Sequence, residues 1–600
     1  MWIAYNEKGL VVGSRGFSAT LGKANMKRIL AILLTVPYLL CAIGCDRIPI
    51  RTVAASFVNA RLCANDSEHA HTALSFSELS DDDSELDLEC SRAQELLFRI
   101  ERGEISGRAA QRALDRRLAA FFGLRTAASI AHVRYCSDLS DEAAKQRYEH
   151  LSNGIVMLGN LLLDAQIALS DDPALSDLYD DASVSKLKEA DALCDPSLQP
   201  LTERERALIG AYDALEGMTI AYGGRAWTKE QILSDPSLSY ETFSTMYRMY
   251  RHAFHEAASK IGLELIDVRN EQAKALGFAS YAEYGYALYA RDYSPEDAQM
   301  LTDAVIRTIV PLFTELLPAF YDASMRLTCG SYAEEQTMRR IGTAIETLLP
   351  ECKEPWDYMR SHAMYTLDAG EHKMPGSFTA YFESYGAPFL FTSWDGTHEM
   401  IRTMLHEFGH YAGFYLNGIQ RVRSDDPLDL AEIDSQGLEL LAISQYDILY
   451  GALSDAARIY EIVIALYTII TGCMEDAFQQ FVYHCDTPTA DVLNAEYERL
   501  ADVFGLRDMG LTGESWSEIS HTFRAPMYYI SYATSMLAAL QLFVQSESNR
   551  TLALSSYRSI LMRRIDAAFR STLQEAGLCD PFDETTVTML AAKLKEMCRG

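Results

Sequence analysis

His406-Glu407-Phe408-Gly409-His410 reads H-E-x-x-H. An α-helix turns about 100° per residue, so side chains four apart share a face. On a helix, His406 and His410 can therefore reach one metal ion, and Glu407 lies beside them, placed to take a proton from a water on that metal. The surrounding residues supply the helix. Met400, Ile401, Met404, Leu405, Phe408, Tyr411 and Tyr415 recur at three- and four-residue steps, the pattern of a buried helix face. Thr397 is placed to cap it and Gly418 to stop it after Leu416-Asn417. Two imidazoles and a carboxylate on so apolar a helix need partners, and a metal supplies one. The motif thus implies a metal-dependent hydrolase, most simply of peptides.

Zinc in a catalytic site takes three protein ligands and leaves a position open to water. The extended form H-E-x-x-H-x-x-G-x-x-H is excluded: Gly413 fits its glycine, but Leu416 stands at the third histidine. A glutamate on a following helix remains. Asp429-Leu-Ala-Glu432-Ile-Asp434-Ser435-Gln436-Gly-Leu-Glu439 is such a segment, and Glu432, Ser435 or Gln436, and Glu439 share one face. Glu432 is expected as the third ligand, with Glu439 and Asp434 as acceptors that orient the imidazoles. For Glu439 an ordinary surface glutamate is the alternative.

H-E-F-G-H followed by E-I-D-S-Q-G-L-E resembles the oligoendopeptidase F and thimet oligopeptidase group of zinc peptidases. Glu432, Ser435 and Glu439 match that family's Glu-x-x-Ser-x-x-x-Glu pattern. Further matches are Arg269 to Tyr281, Trp356-Asp357, Lys373-Met-Pro-Gly376-Ser-Phe378, Pro388 to Phe391 and Asp395-Gly396-Thr397. Downstream, Trp516 to His521 and Pro526 to Ala533 resemble the family's histidine and tyrosine segment. The resemblance covers about residues 200 to 600. It implies that His521 and Tyr532, with Tyr528 or Tyr529, hold the substrate carbonyl and the oxyanion. It also implies one zinc ion per chain and a mainly α, elongated zincin-like oligopeptidase fold with a deep channel for short unfolded peptides. From the residues alone, three tyrosines within five positions are unusual for pure packing, because each buried hydroxyl needs a partner; an aromatic core with hydroxyls reaching water is the plainer reading.

Glu407 is then the general base and later the general acid. Strands are scarce. Ser377 to Phe382 and Phe389 to Ser393 are the best candidates, and a sheet edge there would pair with an extended peptide through main-chain bonds. Helical periodicity runs over 87–175, 202–222, 238–330, 334–350, 397–417, 429–484, 491–505 and 522–600.

Six hundred residues with 48% hydrophobic and 23% charged content describe an ordinary globular protein. The net charge of −31, without a long basic run, speaks against a nucleic-acid partner. At the N-terminus, Met26-Lys27-Arg28 precedes an apolar run from Ile29 to Gly44, the form of a secretory signal and short for a span of about 20 residues. Ala42-Ile43-Gly44-Cys45 resembles a bacterial lipobox. The expectation is therefore translation from Met26, with residues 1–25 upstream of the true start, a signal peptide over 26–44 and membrane attachment through lipid on Cys45. A polar tether over 45–85, a helical region over 86–200 and the catalytic core over 201–600 follow. An uncleaved anchor and a cytoplasmic protein are the alternatives. Besides Cys41, within the signal segment, and Cys45, ten cysteines form no C-x-x-C pair, so a cysteine zinc site is unsupported. Two rival functions stand beside the endopeptidase: a dipeptidyl carboxypeptidase of the same superfamily, and a lipid-tethered protein that binds peptides without cleaving them.

Overall fold

The computed structural model describes residues 71–600, save 180–183, 186, 189–197, 236, 371, 424–426, 565–566 and 599–600, and three strands before them. Those strands, β1 (Trp2–Asn6), β2 (Gly9–Ser14) and β3 (Phe17–Leu21), form an antiparallel meander. Residues 26–44, expected as a signal peptide, and Cys45 lie outside the described residues.

The chain is mainly α-helical with a small sheet beside the H-E-x-x-H helix, as the sequence predicts. Two buried apolar clusters build it. The first joins α1 (Leu86–Glu101), α2 (Gly107–Ser137) and α3 (Glu142–Ser170). The second is far larger and fills the rest. Helix α2 serves both: Leu114, Leu118 and Phe121 pack in the first, while Ile130, Val133 and Cys136 pack in the second.

The larger core is organised by α4 (Tyr240–Ala275), α5 (Tyr281–Leu288), α6 (Pro295–Thr328), α7 (Glu399–Arg423), α8 (Leu428–Leu441) and α9 (Ser454–His484), then α10 (Ser520–Arg524) and α11 (Ile530–Leu561). Residues 428–484 hold an 18-residue window apolar enough to cross a membrane, yet 89% of that window is buried inside the protein. It is core.

Strands β6 (Tyr365–Thr366), β7 (Phe378–Phe382) and β8 (Ala387–Phe391) form a sheet in the order β6-β8-β7. β7 pairs antiparallel with β8, Phe378 opposite Phe391 and Phe382 opposite Ala387. The two strands lie close to those expected. All five residues of β8 are buried, consistent with its apolar Ala-Pro-Phe-Leu-Phe run, and β7 takes the edge.

Two expectations change. Residues 219–228, expected partly as helix, form a hairpin of β4 (Thr219–Tyr222) and β5 (Arg225–Thr228). Gly223 and Gly224 both take positive φ (60° and 83°), as a two-residue hairpin turn requires. The supposed tether ends earlier than Glu85. The Thr72 amide donates to the Tyr385 carbonyl and the Phe76 amide to that of His362, while Leu79 is buried. The helical geometry of α7 breaks at Asn417 (φ −145°), where the sequence places the stop, and a second helical stretch follows to Arg423. Gly418 also meets a steric need: a Cβ there would lie 2.6 Å from the Tyr381 ring.

Candidate metal centre

His406 and His410 stand on α7, one turn apart, with Nε2 of each 3.7 Å from Glu432 Oε2 on α8. Ligand atoms about 3.3 Å apart surround a tetrahedral zinc with bonds near 2.0 Å, so this spacing accepts a metal after a small contraction. His406 Nε2 is buried and has no hydrogen-bond partner, an orphan that a cation would satisfy. Burial pushes the Glu432 carboxyl up to about 7, against the pull of the Tyr528 and Ser435 bonds. Burial and the Arg402 charge push His406 down to about 3, leaving it a neutral ligand. Residues and surroundings fit a divalent cation, whose charge would return Glu432 to its ionised form. Among the described residues, these three form the one group of histidine, cysteine and carboxylate atoms close enough to share a metal.

The pentapeptide's glycine makes the assembly possible. A Cβ at Gly409 would lie 2.2 Å from the Asp434 carbonyl oxygen and 2.6 Å from Ser435 Cα, both backbone atoms of α8. Only glycine lets the two ligand helices cross this closely. Every residue of helix α8 save Ala431 is buried, so polar side chains on it need partners. Ser435 Oγ donates to the Glu432 carbonyl (2.9 Å) and lies 3.2 Å from its Oε2. Glu439 Oε1 is 2.5 Å from His406 Nδ1, so this carboxylate fixes the ring with Nε2 facing the site. It is 1% exposed, not the surface glutamate of the alternative reading. Asp434 takes a different partner from the one expected: Arg563 binds it through two nitrogens, at 2.9 and 3.0 Å.

Glu407 is 1% exposed. Thr379 Oγ1, on β7, lies 2.8 Å from its Oε2 and 2.9 Å from its carbonyl. Burial pushes Glu407 up to about 8; the Thr379 bond opposes this, and Glu432 and Glu439 add to it. The sheet thus holds Glu407 directly.

His521 on α10 meets the rings of Tyr528, Tyr529 and Tyr532 at 5.1, 5.0 and 6.0 Å between centroids. All three tyrosines are buried. Only Tyr532 lies within α11, because Tyr528 and Tyr529 precede it. The Tyr528 hydroxyl donates to Glu432 Oε1 at 3.1 Å, which brings this segment to the candidate metal ligands. Burial, with Arg524, depresses His521 to about 4, so near neutral pH it is an uncharged ring with one N–H to donate.

Trp356 packs edge-on against Phe408 at 5.2 Å and so supports α7. Lys373 Nζ donates to the carbonyls of Asp368 and Thr392, tying the ends of β6 and β8. Thr397, expected as a cap, gives its hydroxyl to Asp395 at 2.8 Å. Sequence reasoning missed Thr379 and Arg402. Arg402, one turn before His406, pairs with Glu439 at 2.9 Å and Glu461 at 3.3 Å. Its place on the histidine face, four residues back, was the available signal.

Residues 365–590 match the model for Peptidase family M3. No curated protein matches the sequence. Among solved structures, the chain is similar to one assigned to oligoendopeptidase F, at 22% identity and TM-score 0.74, covering 88% of this chain and 99% of that one. It is similar to PZ peptidase A with an inhibitor, at 22% identity and TM-score 0.73, covering 87% and 99%. A third, assigned to oligoendopeptidase F of Bacillus anthracis str. Ames, gives 20% identity and TM-score 0.70 over 88% and 98%. The segment matched to Peptidase family M3 thus holds His406, His410, Glu432, Glu407 and the His521–Tyr532 segment, and the fold of the solved structures extends over most of the chain.

Proposed function

We propose that this protein is a zinc-dependent oligopeptidase that hydrolyses internal bonds of short, unfolded peptides. The observation that carries the proposal is the buried carboxylate of Glu407, held by Thr379 beside the convergent His406, His410 and Glu432. Peptide holding alone has no use for such a base. Zinc bound there would supply Lewis acidity to the scissile carbonyl and acidity to a water molecule. Glu407 would accept a proton from a water molecule and return it to the leaving amine. Thr379 keeps the accepting oxygen in place. His521 and the hydroxyls of Tyr529 and Tyr532 would supply donors for the developing oxyanion, the Tyr528 hydroxyl being given to Glu432; one such donor is typically worth ~3 kcal/mol. The free side of β7, an edge strand beside α7, supports an extended peptide bound by main-chain hydrogen bonds, which gives affinity with little sequence preference.

An internally quenched peptide blocked at both ends tests the reading. Cleavage that a chelator abolishes is expected, and Glu407→Gln should keep the metal and lose turnover. Near-normal cleavage by that variant would overturn the mechanism. Cleavage confined to peptides with a free C-terminus would replace the endopeptidase by a carboxypeptidase. We further propose that Cys45 carries lipid and holds the enzyme at a membrane surface outside the cytoplasm; mass spectrometry of the mature N-terminus checks it, and an unmodified Met1 would refute it.

A further inference from the structure

The segment from His521 to Tyr532 is held by side chains from distant parts of the chain. Arg269 on α4 donates to the carbonyls of Thr522 (3.1 Å) and Phe523. Further on, Met527 takes a left-handed backbone (φ 65°) although it is not glycine. That conformation is costly and persists only where its surroundings impose it. Three supports do so. Gln479 of α9 accepts the Met527 N–H. Arg291, between α5 and α6, donates through Nη2 to the Met527 carbonyl (2.6 Å) and to Ser531 Oγ (3.0 Å). Gly285 leaves room for the side chain, since a Cβ there would lie 2.7 Å from Met527 Cγ.

Arg291 is itself fully buried, with its guanidinium carbon 4.5 Å from the Tyr286 ring centroid, 5.0 Å from that of Tyr289 and 5.6 Å from that of Tyr293. Asp429 is its carboxylate partner, at 3.9 Å. A buried guanidinium is expensive, and here its two closest bonds go to the strained turn and to the start of α11. The next residue after that turn is Tyr528, whose hydroxyl reaches Glu432, while the Tyr289 ring stands edge-on to Tyr528 at 6.1 Å.

We propose that Arg291 is a positioning residue: by fixing the Met527 carbonyl it keeps the Tyr528 hydroxyl on Oε1 of Glu432, leaving Oε2 to face His406 and His410. The inference takes from the proposed function only that zinc occupies the three-ligand site; peptide cleavage is not needed for it.

The test is a double-mutant cycle on zinc affinity, measured by competition with a coloured chelator on the full chain. Arg291→Met and Tyr528→Phe should each weaken zinc about tenfold, the lower end for loss of a group that supports a metal ligand. Because Arg291 acts through Tyr528, the double variant should bind no more weakly than the weaker single one. Arg291→Lys should recover part of the loss, having one donor in reach where arginine has a fork. Multiplying losses, or Arg291→Met with wild-type affinity, would overturn the proposal. If Arg291→Met does not fold, Gln479→Met, which removes the acceptor of the Met527 N–H, enters the same cycle with the same two outcomes. Wild-type protein that binds zinc in this pattern yet cleaves no peptide would refute the peptidase and leave the positioning role standing.

Discussion

Gly409→Ala adds one methyl group to a position where nearly any helix is improved by it, and the structure predicts the opposite result. Alanine gains about 1 kcal/mol over glycine from helix propensity alone. At Gly409 the new Cβ would sit 2.2 Å from the Asp434 carbonyl oxygen. An ordinary contact needs at least 3.4 Å, so α7 and α8 must part by about 1.2 Å, and the obstacle is backbone that cannot rotate away. Overpacking of this kind costs about 1–3 kcal/mol, which cancels or exceeds the propensity gain. The larger effect falls on the metal. The two histidine nitrogens are already 3.7 Å from Glu432 Oε2. Moving the helices apart opens that distance towards 5 Å, whereas two zinc bonds of about 2 Å span at most ~4 Å. Glu432 is then lost as a ligand, and zinc affinity should fall by at least about 100-fold, beyond the effect of losing a supporting group. Chelator competition measures the affinity, and thermal scans with and without zinc measure the stability it adds. A variant that binds zinc as tightly as wild type, or whose zinc-bound form melts higher, would refute the argument that close crossing of α7 and α8 builds the site.

Thr379→Val removes the hydroxyl that lowers the Glu407 pKa, so the base ionises at higher pH and the acid limb of the kcat/KM profile should move upward. A downward or absent shift would detach β7 from the base. Glu439→Ala frees the His406 ring and leaves Arg402 with one fewer partner; zinc affinity should drop about 10–100-fold, and an unchanged dissociation constant would count against the orienting role. In metal-free protein, burial raises Glu432 to about 7 and Glu407 to about 8. Carboxyls raised on folding bind more protons folded than unfolded, so their stabilising effect is present at low pH and lost as pH rises through the folded values. Above pH ~6.5 the buried histidines no longer oppose this, because an unfolded histidine has by then shed most of its proton. With chelator present, the melting temperature should therefore fall from pH 6.5 to 8, and zinc should reverse the fall; a chelated protein whose melting temperature rises across that interval would contradict the assignment.

The ligand helices were legible because their signals are local. His406 and His410 lie four apart, and Glu432, Ser435 and Glu439 share a helical face. What the sequence withheld depends on two segments at once. Gly409 looked like a free position of the motif, since nothing in α7 reveals that the backbone of α8 crosses there. Thr379 contacts Glu407 only because β7 pairs with β8 in one register beside α7. Arg291 reaches Met527 across 236 residues. The misread hairpin was different: Tyr222-Gly-Gly-Arg225 carried its turn signal, but four-residue strands were too short to interrupt the helical periodicity preceding them. Residues 71–79 read as tether because they are polar, yet backbone amides, blind to side-chain composition, dock them.

The boundary between the two buried clusters runs along the end of β7. Arg125 of α2 pairs with Glu383, just beyond Phe382, at 2.5 Å, and both side chains are under 10% exposed. The Ser384 amide donates to Thr126 Oγ1, and the amides of Met374 and Leu139 bind the carbonyls of Cys136 and His372 across the same line. Four and five residues after Thr379, the strand that holds Glu407 is thus moored to a bundle outside the matched 365–590 segment. The amino-terminal bundle acts as a buttress. Because Ile130, Val133 and Cys136 of α2 also pack into the larger core, a change at Arg125 or Glu383 would reach Glu407 through β7 without touching His406, His410 or Glu432.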